Sequence, residues 1–244
     1  MQRIVQPELL DRLPPDDPGA IGSRRDLHRL NACMGNAKIM ARALIHLFSR
    51  RLAFRMAEIG AGDGEFLLNV ARRARGKWRR VEALLVDQQQ IVGGKTHAGF
   101  GSLSWRVESL KSDVFRWLPG AQNVEAIVAN LFLHHFTDTQ LRELFRDAAK
   151  KSQVLIAVEP RRAPLPFFCS RWVSLIGCCA VTRHDAPVSV RAGFTGSELS
   201  ALWPDRDNWD LTEQRVGFFS HVFIAQKRSG ILTGKTADRT FASA

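Results

Sequence analysis

The sequence predicts an α/β protein: a doubly wound, mostly parallel seven-stranded sheet with helices on both faces, an antiparallel edge strand and an N-terminal helical cap. Three observations carry this expectation. Short apolar runs alternate with helically patterned segments between about residues 54 and 160. The first run ends in a glycine-rich turn that opens a helix. Two further runs near the end follow one another with no helix between them, as an antiparallel pair does.

Residues 1–20, ending in LPPDDPGA, read as an irregular arm. From Ser23, apolar residues recur at spacings of three and four, from Leu27 to Leu47, with a break at Gly35–Asn36. This pattern predicts two helices before the sheet. The predicted strands are 54–60, 81–87, 103–109, 124–130 and 153–159. Helices are expected over 64–75 and 138–150, the second capped by Thr137 or Asp138. After Pro160 the alternation breaks. An apolar helical insertion at 164–181 leads to a polar loop, TRHDAPVSVRAGF. A short helix from Thr195 and the runs 209–216 and 217–226 complete the domain. The chain therefore divides into a helical cap (1–50), a main domain (51–228) with a lid insertion (161–194), and a loose polar tail (229–244).

A chain of 244 residues suits one decorated domain. Its 35 Lys and Arg against 24 Asp and Glu give a net charge of +11. The basic residues occur as scattered pairs such as Arg24–Arg25 and Arg79–Arg80, without the run of a nucleic-acid tail, so no stable nucleic-acid complex is expected. The four cysteines, Cys33, Cys169, Cys178 and Cys179, have neither disulfide-framework nor zinc spacing. With no signal-like segment at the N-terminus, a reduced cytoplasmic protein without a metal is expected. The segment 164–181 approaches the length of a membrane span, but Arg171 interrupts it and two prolines open it. A buried or surface-lying helix is expected, with peripheral membrane contact left open, as is the oligomeric state.

The densest chemical signal is Ala57-Glu58-Ile59-Gly60-Ala61-Gly62-Asp63-Gly64. Glycines let a ligand approach the backbone and permit positive φ. A dinucleotide site calls for G-x-G-x-x-G, whereas these glycines fall at 60, 62 and 64, two residues after an acidic one. Asp87 follows at the end of the second strand, where a carboxylate can accept both hydroxyls of a ribose.

With these residues the sequence resembles the class I S-adenosylmethionine-dependent methyltransferases. Their signature is an acidic residue and then G-x-G-x-G at the end of the first strand. The resemblance implies a Rossmann-like methyltransferase fold with S-adenosyl-L-methionine as cofactor. It places Glu58 toward the methionyl amine, and Gly60, Ala61, Gly62 and Gly64 beneath the cofactor. Asp87 falls on the ribose with Gln88 beside the adenine. Ser112, Asp113 and Val114 fall near the adenine amine and ring face. Asn130 and Leu131 close the site at the end of the fourth strand. The stretch Leu133-His134-His135-Phe136 is similar to small-molecule methyltransferases of the phenol and quinone-biosynthesis type.

A histidine is the natural base near neutral pH. His134 or His135 is therefore expected to take the acceptor's proton, or else to cap or pack. His184, in the polar loop, is a second candidate base. No Asn/Asp-Pro-Pro-Tyr/Phe motif follows the fourth strand and the chain has no Tyr, which argues against methylation of nucleic-acid amino groups. The expected partner is a small hydrophobic or aromatic acceptor: a phenol, quinol or polyketide-like hydroxyl or carbon. RNA or protein methylation, and an inactive cofactor-binding partner subunit, are the alternatives.

Overall fold

The computed structural model describes residues 1–228; the tail expected at 229–244 lies outside the described residues. Seven strands form one sheet in the order β3-β2-β1-β4-β5-β7-β6. They are β1 (Ala53–Ile59), β2 (Arg80–Asp87), β3 (Trp105–Lys111), β4 (Val124–Asn130), β5 (Ser152–Pro160), β6 (Trp209–Val216) and β7 (Ser220–Lys227). The first five pair in parallel. β7 runs antiparallel between β5 and β6, so the two closing runs form a hairpin at that edge.

Side chains on a strand alternate between faces, and both faces are covered here. Ala126 and Val128 of β4 join the core on one side with Leu67, Leu68 and Met40. Ile127 and Ala129 join the other with Leu141, Leu144 and Phe145. Helices α2 (Asn36–Leu47), α3 (Glu65–Arg73) and α4 (Gly94–Gly101) belong to the first face. The short α5 (Val114–Trp117), α6 (Asp138–Lys151) and α9 (Glu198–Leu202) belong to the second. Thr137 caps α6 through a capping box with Gln140, as its sequence signature requires.

The switch point, where the chain departs to both sides, lies between the carboxyl ends of β1 and β4. Ligands bind at such crevices in open α/β sheets. α1 (Pro18–Met34), α7 (Pro164–Ser170) and α8 (Ala180–Ala192) pack together as the cap.

Two expectations about this cap change. The polar stretch after Val181 is not a loop but most of α8, with Pro187 inside it. Its inward residues include Thr182 and Asp185. They are held by hydrogen bonds rather than by apolar packing, so no hydrophobic stripe marks the helix. Thr182 bonds Asp26 of α1. Asp185 accepts the backbone N–H groups of Leu9 and Leu10 at 2.9 and 3.0 Å.

The N-terminal arm is irregular over residues 1–8, as expected, but it is fixed in place and gives way to helix sooner. Arg3 donates to the carbonyls of Phe136 and Ala192 and pairs with Asp138. Helix α1 begins at Pro18, five residues before Ser23, because Asp17 caps it with Pro18 at the first helical position. Asp185→Ala should release the two N–H groups and free this arm. Trypsin should then cut at Arg3 and Arg12 at least about tenfold faster, the scale of one lost charged hydrogen bond. Unchanged cleavage would show that the arm is held elsewhere.

Candidate active site

The cavity at the switch point has a volume of about 690 Å³. That lies within the ordinary range of ligand sites, about 300–1,000 Å³. Its floor is the glycine turn after β1. Gly60, Gly62 and Gly64 all have positive φ, at 69°, 56° and 75°. Three different constraints act on them. A Cβ on Gly60 would sit 2.1 Å from the Phe132 ring. One on Gly64 would press on Leu85 at 2.8 Å, so this glycine serves the packing of α3 on β2. One on Gly62 would meet nothing within 4 Å, because Gly62 borders open cavity.

Three carboxylates surround this turn. Asp87 accepts the N–H groups of Gly62 and Gln89, both at 2.8 Å. Burial lifts its pKa, with those bonds opposing. Asp63 pairs with His28 of α1 at 2.8 Å, which overcomes burial and holds its pKa low. Glu58 is buried, and its Oε2 has no hydrogen-bond partner. Burial, then the charges of Asp63 and Asp87, raise its pKa well above the carboxylate range. A buried carboxyl without a partner costs stability unless a ligand satisfies it. The chemistry of this end therefore fits a ligand that brings a cation and hydroxyl donors, as S-adenosylmethionine does.

The remaining expected cofactor residues fall as follows. Ala61, Gln88, Ser112, Val114, Asn130 and Leu131 line the cavity. Asp113 stands behind Gln88, accepting its amide at 2.8 Å while capping α5 at the N–H of Phe115. Asn130 is committed to a buried network with Asn31 and Asn36, each bond 3.0 Å, which ties the cap to β4. Leu131 holds φ 51°, an uncommon conformation for a non-glycine residue.

The opposite wall is built on Glu159, at the end of β5 and fully buried. Its carboxylate accepts the N–H groups of Phe132 and Leu133 at 3.0 and 2.9 Å. It also accepts Nδ1–H of His134 at 2.8 Å. This shapes the 3-10 turn Leu133–His135. On its other side, Nε2 of His134 faces Glu8 at 3.3 Å. Burial alone would lower the pKa of His134, but the bonds and charges of Glu159 and Glu8 lift it to about 9. Glu8 is correspondingly held below the usual carboxylate range.

His134, one of the two histidines expected to act as a base or else to cap or pack, has both ring nitrogens engaged, Nδ1 by Glu159 and Nε2 by Glu8. His184 lies on α8, half exposed and bonded to Asp185, and does not line the cavity. His135 lines the cavity, with Nδ1 3.2 Å from Asp11. Sequence reasoning missed Glu8, Asp11, His28 and Glu159. Only Glu159 left a signal, an acidic residue ending an otherwise apolar strand.

The insertion faces both ways. Pro166, Trp172, Val173 and Ile176 line the cavity, though Trp172 and Ile176, like Leu165, Phe168 and Leu175, are also exposed. No helix among the described residues is long and apolar enough to cross a membrane.

Replacing Glu58 by Gln removes the raised carboxyl. A group whose folded pKa is raised loses stabilisation as pH climbs above its unfolded value, so the parent should weaken above about pH 4.5. Glu58→Gln should flatten that slope and raise the Tm of the ligand-free protein at pH 7 by about 2–4 °C. It should also weaken S-adenosylmethionine binding by about ten- to a hundredfold, the worth of a charged hydrogen bond. A lower Tm with unchanged affinity would contradict this reading.

No protein-family model matches the chain, and no curated protein matches it in sequence. Solved structures do. The plantazolicin methyltransferase BpumL, solved with S-adenosylhomocysteine, is 12% identical over 87% of this chain and 92% of its own, with a TM-score of 0.61. An O-methyltransferase family protein from Burkholderia thailandensis is 18% identical over 82% of this chain, with a TM-score of 0.55. This chain spans only 59% of that protein's length. The small RNA methyltransferase HEN1 is 13% identical over 80% of this chain and 26% of its own, with a TM-score of 0.58. The three share an architecture, and this chain has the fold of the class I S-adenosylmethionine-dependent methyltransferases.

Proposed function

We propose that the chain transfers a methyl group from S-adenosylmethionine to a small hydrophobic or aromatic acceptor, most simply a phenolic or quinol-like hydroxyl. The observation that carries the acceptor class is the charge of the cavity. Six carboxyl groups line it (Glu8, Asp11, Glu58, Asp63, Asp87 and Asp185), and among the described residues Arg24 is its one arginine and it has no lysine. A polyanion is repelled by such a lining even though the whole chain carries +11. Nucleic-acid binders instead present basic grooves to phosphates. Between the carboxylates the walls are apolar, from Phe132 and Phe136 to Trp172, Val173 and Ile176.

S-adenosylmethionine, when bound, supplies the electrophilic methyl carbon. Glu58 is placed to meet its cationic end, Gly62 leaves it room, and Asp87 can receive the ribose hydroxyls. Val114 offers an apolar surface for the adenine, with Gln88 at its edge. The rings of Phe132 and Phe136 and the insertion then hold the acceptor and exclude water. Positioning and desolvation supply most of the rate in such a displacement. His135 is the histidine that meets the acceptor, with Asp11 fixing its ring. His134 positions that wall and does not itself accept a proton.

The test is a panel of phenols and quinols of graded alkyl chain length, offered with labelled donor beside tRNA and histone-like peptides. Transfer to ring compounds is expected, with affinity rising by at most about 0.8 kcal/mol per methylene until the pocket fills. Transfer to nucleic acid alone would overturn the acceptor assignment. His135→Gln should lower kcat at least about a hundredfold with little change in KM, as expected for a group acting in the transition state. His184→Gln should leave both constants unchanged. Equal loss in the two variants would remove His135 from the reacting centre.

A further inference from the structure

We propose that Glu8, His134 and His135 form a site for one divalent transition-metal ion on the acceptor wall of the cavity. One ligand atom from each lies within 4.8 Å of the other two. Nε2 of His134 stands 3.3 Å from Oε1 of Glu8. That separation is close to the ~3.4 Å edge of a tetrahedron with metal–ligand bonds of about 2.0–2.1 Å. All three residues line the cavity, so an ion held by them keeps coordination positions open toward it. Three protein ligands and an open position are the arrangement of catalytic rather than structural sites.

The surroundings carry the assignment further. Ligating imidazoles usually give their other nitrogen to a carboxylate, and ligating carboxylates are themselves hydrogen-bonded. Nδ1 of His134 is bonded to Glu159 at 2.8 Å. Nδ1 of His135 lies 3.2 Å from Asp11. Glu8 accepts the hydroxyl of Ser189. Each of the three thus already has an outer partner that fixes its orientation. The charges agree. Glu8, Asp11 and Glu159 converge on two imidazoles, while Arg3, which reaches the same turn, is paired with Asp138. Two imidazoles and one carboxylate suit zinc, iron(II) or cobalt(II) over calcium or magnesium, which favour oxygen.

The role follows from the reading above and rests on it. The ion holds the acceptor's hydroxyl oxygen and draws electron density from its O–H bond. The proton leaves to water. The oxygen's electron pair forms the new bond to the donor's methyl carbon as the sulfur–carbon bond breaks, its pair staying on sulfur. The ion ends in the oxidation state in which it began. His135 then acts on the acceptor through the ion rather than as a free base.

The full chain, treated with chelator and freed of it, should be titrated with zinc and with cobalt(II) in the absence of donor and acceptor. One ion per chain is expected, with cobalt giving visible ligand-field absorption. His135→Ala and Glu8→Gln should each weaken binding by more than about tenfold. Affinity for S-adenosylhomocysteine should stay within about twofold, which shows the fold intact; His135, at the cavity wall, is the milder change. No ion bound by the parent, or binding undiminished in both variants, would overturn the site. Because no acceptor is present, this result stands apart from the acceptor assignment. A separate arm measures transfer to a phenol after chelation. Activity should fall at least about tenfold and return with zinc, and full activity in the metal-free protein would overturn the Lewis-acid role.

Discussion

A single carboxylate, Glu159, sits fully buried where β5 ends and gathers the turn that follows β4. It accepts backbone N–H groups of Phe132, Leu133 and His134 and the imidazole of His134. A buried charge survives in a protein only when its lone pairs are met, and here the turn meets them. Much of the site depends on this arrangement. It lays the Phe132 ring over Gly60, which no side chain could allow. It orients His134 toward Glu8, and so docks the N-terminal arm against the wall. It leaves the neighbouring His135 facing the cavity.

The cavity is zoned by charge at both ends. Glu58, Asp63 and Asp87 crowd the glycine turn, and Glu8, Asp11 and Glu159 crowd the opposite wall. Among the described residues Arg24 is the one Lys or Arg that lines the cavity, although the chain carries a net charge of +11. Net charge therefore says little about what the site takes. The unpartnered Oε2 of Glu58, buried among these acids, is the sharpest expression of the zoning.

The sheet and the glycine turn were legible in the sequence because their signals are local. Short apolar runs, a helix cap at Thr137 and three spaced glycines each reside within about ten residues. Strand positions came out within two residues, except β7, which begins at Ser220 rather than 217. The acceptor wall was not legible for the opposite reason. Glu8 meets His134 across 126 residues, and Asp185 meets Leu9 across 176. Neither contact leaves a pattern in sequence. Helix α8 was read as a loop because polar hydrogen bonds, not an apolar stripe, hold its inner face. Two adjacent histidines on a 3-10 turn look alike in sequence. Only the fold separates the buried His134, paired on both ring nitrogens, from the more exposed His135 beside it.

The central claim is that the glycine turn and its carboxylates hold S-adenosylmethionine rather than a nicotinamide dinucleotide. Isothermal titration of the full chain with S-adenosylhomocysteine and with NAD tests it most directly. The account predicts one S-adenosylhomocysteine per chain with micromolar-range affinity, near −8 kcal/mol, and no heat with NAD. Saturable NAD binding with none of S-adenosylhomocysteine would contradict it.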